Sequence, residues 1–245
     1  MGTWLRTRAL LALLALAAGT AAGADPGIPS FNARYDLKKG PLVLGVSRVE
    51  YRRLPEERYS YRMHTRGTGL ARLVLGGYTE ERSEGLITAA GFQPTAYHYE
   101  RAGGDNPRES EARFDRAEGR VEGLKRGKPW ELEAPPGVLD RVVGPLQLMH
   151  DLAEGRDRLR YSIATRGKLR HYTLTQEGTE TIDTALGRLQ TVKVVRRREG
   201  GGETTTLWCA PALDYLAVRV EHEDEDDGTF TLELTQVVGM ELAGR

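Results

Sequence analysis

The residues from which chemistry could be built in this sequence are five histidines, one cysteine, an acidic run and two short arginine clusters. His64, His98, His150, His171 and His222 show no His-x-x-x-His spacing and no Cys-x-x-Cys partner, so a zinc site would have to assemble from distant segments. No metal is expected. Cys209 is the only cysteine, which excludes an internal disulfide and reads as a small buried apolar residue rather than a nucleophile. The run Glu221-His222-Glu223-Asp224-Glu225-Asp226-Asp227-Gly228 invites a calcium test. With Glu223, Glu225 and Asp227 as ligands, the closing twelfth position is Leu234 instead of a bidentate Glu, so the loop pattern fails. A solvated hairpin is the better reading, because Asp-Gly sits between two alternating segments.

Nucleophile and phosphate motifs fail in the same way. Gly45-Val46-Ser47-Arg48-Val49 lacks the second glycine of a nucleophile elbow. Gly127-Lys128 is followed by Pro129 where a phosphate loop needs a hydroxyl, and Arg72 stands where a dinucleotide fingerprint needs its third glycine. No cofactor is expected. Arg156-x-Arg158-x-Arg160 and Arg196-Arg197-Arg198 are diluted by Asp157 and Glu199 and read as solvated strand ends. His150 reads as a partly exposed or hydrogen-bonded core residue, and His98 and His171 as residues on sheet faces.

The elements that would position these groups are mostly strands. Tyr59, Tyr61 and Met63 alternate with Ser60, Arg62 and His64; Phe230, Leu232 and Leu234 alternate with Thr231, Glu233 and Thr235; Val218 and Val220 flank Arg219; Val192 and Val194 flank Lys193. Period-two alternation of this kind marks half-buried antiparallel strands. Turn signals such as Lys39-Gly40-Pro41, Ala90-Gly91, Arg126-Gly127 and Glu177-Gly178 separate about a dozen such segments, and 29 glycines in 245 residues suit a turn-rich chain. One segment differs. Leu139, Val142, Val143, Leu146, Met149 and Ala153 recur at three-and-four spacing, which predicts a helix from Pro145 to Glu154 with its apolar face on a sheet. The expected fold is mainly β: a large curled antiparallel sheet or open barrel-like fold with one helix packed on its concave side.

Met1 to Ala24 reads as a cleavable signal peptide: Arg6 and Arg8, an apolar run from Ala9 to Ala18, then Ala22-Gly23-Ala24. A single β-rich domain would occupy 25–245. No cysteine stands at the cleavage point, which argues against a lipoprotein. No later apolar run approaches the roughly 20 residues of a membrane-spanning helix. Without Arg6 and Arg8 the chain has 33 basic and 35 acidic residues, a net charge of −2. That balance argues against a nucleic-acid partner.

Several short patterns together resemble an exported bacterial family, domain of unknown function 3108. They are Phe31-x-Ala33-x-Tyr35, Gly91-Phe92-Gln93-Pro94-x-x-Tyr97, the Asp140–Leu152 segment, Gly178-x-Glu180-x-Ile182-x-Thr184-x-x-Gly187, and Leu207-Trp208-x-Ala210 continuing to Tyr215-Leu216-x-Val218-Arg219. Ala217 stands where the family has Pro. The resemblance implies a periplasmic, β-rich protein of a Gram-negative envelope and supplies no catalytic residue.

The fold expected above leads to one functional reading: a lipid or lipid-linked ligand held between sheet and helix, with Trp130, Leu146, Met149, Leu152 and Trp208 as candidate walls. Ordinary core packing is the plain alternative for each of the five. A second reading is an envelope scaffold that presents an exposed sheet edge, or an aromatic strand face such as Tyr97 and Tyr99, to a protein partner. A glycan-acting enzyme with paired carboxylates comes third, since no spacing favours any pair.

Overall fold

The computed structural model describes residues 27–69, 77–103, 107–224 and 228–242; the leader read at Met1–Ala24 lies outside them. Eight strands come first: β1 Phe31–Lys39, β2 Leu42–Leu54, β3 Arg58–Gly67, β4 Tyr78–Thr88, β5 Gly91–Ala102, β6 Arg108–Asp115, β7 Arg120–Lys125 and β8 Lys128–Glu133. The helix α1, Gly144–Ala153, follows. Six strands complete the chain: β9 Arg158–Thr165, β10 Lys168–Thr184, β11 Gly187–Arg198, β12 Glu203–Ala210, β13 Leu216–Asp224 and β14 Gly228–Val238.

All fourteen belong to one antiparallel sheet in the order β8-β7-β6-β5-β4-β3-β2-β1-β14-β13-β12-β11-β10-β9. Two meanders are thus joined where the first strand pairs with the last, Asn32 opposite Val238 and Lys38 opposite Thr231. The sheet rolls into a nearly closed barrel, as expected of a twisted sheet of this many strands. Its free edges are β8 and β9. Val138 and Leu139 cover part of the β9 edge: the Leu139 N–H donates to the Ser162 carbonyl and the Ala164 N–H to the Leu139 carbonyl, both at 2.9 Å. Trp130 of β8 reaches the β9–β10 turn. A Cβ on Gly167 would stand 3.2 Å from the Cβ of Trp130, and φ at Gly167 is +77°, so glycine is needed there twice over.

Alternation sorts the side chains as the sequence predicts. Phe31, Ala33 and Tyr35, and likewise Tyr59 and Tyr61, face inward and are buried. Cys209 is 1 % exposed. The expected hairpin between the Val218 and Phe230 segments forms, with His222 opposite Phe230; residues 225–227 of the acidic run lie outside the described residues.

The helix departs from expectation in one respect. Its limits shift by one residue and Ala153, expected on the apolar stripe, is exposed, but its central turns have no wet face: Leu146, Gln147, Leu148, Met149, His150, Asp151 and Leu152 are all buried. Four large apolar side chains on one short helix contribute roughly 1.5–3 kcal/mol each on burial. The three polar ones have no exposed flank to occupy. Gln147 and Asp151 solve this by bonding. Gln147 accepts the Phe92 N–H at 2.8 Å and donates to the Ala90 carbonyl at 3.1 Å and to Asp151 at 3.0 Å. Its amide occupies the space a Cβ on Gly91 would need, and Gly91 has φ +102°. Asp151 accepts from Tyr161 at 2.6 Å and from Arg156 at 2.8 Å. His150 is 0 % exposed, and among the described residues neither ring nitrogen has a hydrogen-bond partner. It is buried but unsatisfied, which corrects both readings of it.

Asp140 ties the helix to the wall. Its Oδ1 accepts the N–H groups of Val142 and Val143 at 2.8 and 2.9 Å, and its Oδ2 accepts from Ser83 of β4, which is bonded in turn to Tyr59 of β3. Phe92 sits beside this tie, its ring edge-on to Tyr59 and Tyr51 at centroid distances of 5.3 and 6.0 Å.

Burial pushes the Asp140 carboxyl up from 3.8 to about 7, against the lowering effect of its three hydrogen bonds. The folded state therefore holds this proton more tightly than the unfolded chain does. The contribution is full below 3.8 and is lost as pH rises towards 7, at up to about 1.4 kcal/mol per pH unit. Asp140→Asn keeps the two bonds accepted by Oδ1, can donate to the Ser83 hydroxyl in place of accepting from it, and carries no charge. In urea titrations between about pH 5 and pH 8, the natural protein should lose stability with rising pH and the variant should lose markedly less. Equal slopes would contradict the assignment.

Candidate functional site

The five residues expected to wall a ligand cavity are placed as follows. Leu146, Met149 and Leu152 are 1 %, 2 % and 3 % exposed and pack together in the core. Trp208 lies on the face of β12 opposite Leu207. Lys193 and Arg219 sit over its ring at 5.6 and 5.8 Å, and its Nε1 donates to Glu180 at 2.8 Å. Trp130 is half-buried against the core and lines an open groove of about 580 Å³. The other four line none of the five main hollows. Tyr97, read as part of an exposed aromatic face, is buried, and its hydroxyl donates to Glu81 at 2.7 Å. Tyr99 packs against the core beneath Arg166, 5.8 Å from its ring centroid. That strand face is not open to a partner.

A different constellation stands out, and the registers explain it. The hairpin turns β1–β2, β7–β8, β9–β10, β11–β12 and β13–β14 all lie at one end of the barrel; β8 finishes at the other, and the segment after it runs back along β9, Leu139 beside Ile163, so that the approach to α1 brings Arg141 to the hairpin end. Moving towards the hairpin end, the inward positions change from apolar to charged. On β10, Leu174 and Tyr172 give way to Arg170 and Lys168. On β11, Val194 gives way to Arg196 and Arg198, and on β12, Leu207 and Thr205 give way to Glu203. Here the inner surface opens into a hollow of about 320 Å³ lined by Lys125, Arg141, Arg166, Lys168, Arg170 and Arg196, with Glu203 as its carboxylate and Tyr172 and His222 on the wall.

Its charges are unevenly matched. Glu203 accepts from the Tyr172 hydroxyl at 2.7 Å and lies 3.8 Å from both Arg170 and Arg198. Burial alone would raise its pKa; the Tyr172 bond and the fields of Arg196, Arg198 and Arg170 outweigh it and hold the carboxyl below its ordinary value. Arg141 reaches Glu81 at 3.7 Å and keeps 46 % of its side-chain surface open to solvent. Arg196 donates to Thr205 at 2.9 Å and lies 4.8 Å from the Tyr172 ring centroid. Among the described residues it has no carboxylate within 4 Å. Burial first, with a contribution from the like charge of Arg141, lowers its pKa. Glu81 answers the charge of Arg141 and raises its pKa, while Arg196 has no carboxylate that close; two guanidinium groups whose charges repel, one of them without an ion-pair partner among the described residues, form a place where an anion is stabilised.

The model of the family described as "Protein of unknown function (DUF3108)" matches residues 31–235. The chain belongs to this family. No curated protein matches it. A crystal structure of a β-barrel-like protein of domain of unknown function DUF1849 from Brucella abortus is similar in fold, with 11 % identity, a TM-score of 0.58, and cover of 87 % of this chain and 98 % of that one. The DUF3108 patterns in this chain are architectural: Phe31, Ala33 and Tyr35 face the core, and Gly91-Phe92 is the turn that Gln147 grips. Among the described residues no three His, Cys, Asp or Glu side chains are grouped to hold a metal ion. No described helix is long and apolar enough to cross a membrane.

The cationic hollow was missed because the arginines were judged by their sequence neighbours. The signal that could have found it is parity: Arg196 shares the face of Val194, and Arg170 that of Tyr172. Cys209 stays outside any chemistry, since burial pushes its thiol up to about 12. It should be labelled by a thiol reagent at about pH 8 only after unfolding. Rapid labelling of the folded chain would contradict its placement.

Proposed function

We propose that this DUF3108 protein is exported to the cell envelope and binds, without transforming it, an anionic ligand whose charged group enters the hairpin end of the barrel. The observation that carries the reading is the 320 Å³ hollow with six Lys and Arg side chains against one carboxylate. Arginine stays charged and moves no proton at working pH, so a wall of guanidinium groups fixes an anion rather than reacting with it. Of the groups on its wall that could carry a proton, Glu203 and Tyr172 are bonded to each other and His222 is bonded to Thr205 at 2.9 Å. The leader-like Met1–Ala24 supports export.

A lipid or lipid-linked ligand fits through its head group. Its acyl part has no lumen to enter, because α1 is buried on every side where the chain would lie. The scaffold reading keeps one supporting feature, the second edge of β8, which among the described strands pairs only with β7.

The test is calorimetric titration of the mature chain, from Asp25 onward, with sulfate, citrate and pyrophosphate at low salt. Saturable binding that weakens with added salt is expected, with about a tenfold loss on Arg196→Ala, the size of one charged hydrogen bond. An unchanged melting temperature in the variant would assign that loss to the site. No saturable binding of any of the three anions would overturn the reading.

A further inference from the structure

Resting on that reading, we infer that the hollow is built for a phosphoryl dianion, the terminal phosphate of a monoester, held between Arg141 and Arg196 in place of the partial neutralisation now supplied by Glu203. The charge balance favours a dianion over a simple monoanion as the occupant. Lys125, Arg166 and Lys168 have no carboxylate within 4 Å among the described residues, and Arg170 shares one carboxylate with Arg198, each at 3.8 Å. A single added charge leaves most of that field unanswered. A phosphate monoester brings about −1.5 to −2 near pH 7, together with three strong acceptor oxygens.

Geometry agrees with charge. Arg196 lies over the ring of Tyr172, 4.8 Å from its centroid, and is tethered by one bond to Thr205. A guanidinium held at two points offers its remaining N–H donors as a planar fork, the form that pairs with two phosphate oxygens at once. Arg141 follows directly on Asp140, whose two backbone bonds fix the start of the helical segment. It therefore enters the hollow from the helix side and Arg196 from the sheet side. The volume, about 320 Å³, takes a phosphate and a small polar substituent such as glycerol or a sugar. The phosphoryl group could come from a soluble ester or from a lipid head group; the chemistry recognised is the same.

Glu203 provides the sharp test. If its carboxylate occupies the field that the phosphate needs, Glu203→Gln removes a competitor and tightens binding, whereas loss of a merely structural contact would not. The mature chain, natural and variant, is titrated with glycerol 3-phosphate, with citrate and with sulfate, and is sedimented with vesicles of phosphatidylcholine with or without phosphatidate. The expected result is a preference of at least about tenfold for the phosphate ester over citrate, several-fold tighter binding in Glu203→Gln, and loss of the preference in Arg196→Lys, which keeps the charge but not the fork. The same preference seen only with phosphatidate vesicles supports the proposal and names a lipid as the source. If Glu203→Gln fails to fold, the Arg196→Lys preference decides. Equal binding of citrate and ester overturns the phosphoryl class while leaving the anion site standing. No binding of any anion or vesicle overturns both.

Discussion

The burial of the seven central residues of a ten-residue helix, Leu146 to Leu152, inside a rolled sheet is the constraint on which the rest of this structure depends. A sheet of fourteen strands closed around nothing would leave its inward aromatic and aliphatic side chains without partners, losing the contacts that stabilise a close-packed interior. The helix fills that space, at the cost of taking Gln147, His150 and Asp151 out of water. Two of the three are matched by hydrogen bonds to the wall, and Asp140 fastens the approach to the helix through Ser83 and Tyr59. These polar ties orient an element whose apolar contacts alone would leave it free to rotate.

The plug also divides the barrel. Where it sits, the interior is a packed core; beyond it, towards the hairpin turns, the inward side chains become long and cationic. Like charges gathered there repel one another and lower stability, so their placement needs a compensating contact. Glu203 and Glu81 supply part of it. An anionic ligand would supply the rest. The same turn that starts the helix delivers Arg141 to the hollow, which links core packing directly to the site.

The fold was largely legible in the chain because antiparallel strands with one buried face write their burial into alternate positions. Tyr59, Tyr61 and Met63, or Phe230, Leu232 and Leu234, need no partner to be recognised. Closure of the first strand on the last is a long-range pairing that no local pattern announces, and so is the contact of Trp130 with the β9–β10 turn. The helix was legible by its period, but its surroundings were not: Gln147, His150 and Asp151 look like a wet face until the sheet closes over them. Tyr97 and Tyr99 alternate with polar residues and could have lain on either face. The basic hollow escaped notice for a related reason. Arg196 reads along the chain as one of three arginines followed by Glu199, yet alternation puts it on the inward face with Val194, and Arg170 on that of Tyr172.

Native-state hydrogen exchange of the helix amides tests the central claim most directly. If α1 is the plug of a packed barrel, the amides of residues 148–153 exchange only through global unfolding, with the same free energy as the most protected strand amides. Exchange through a local opening well below that value would contradict the account, because it would mean that the helix leaves the barrel while the sheet stays folded.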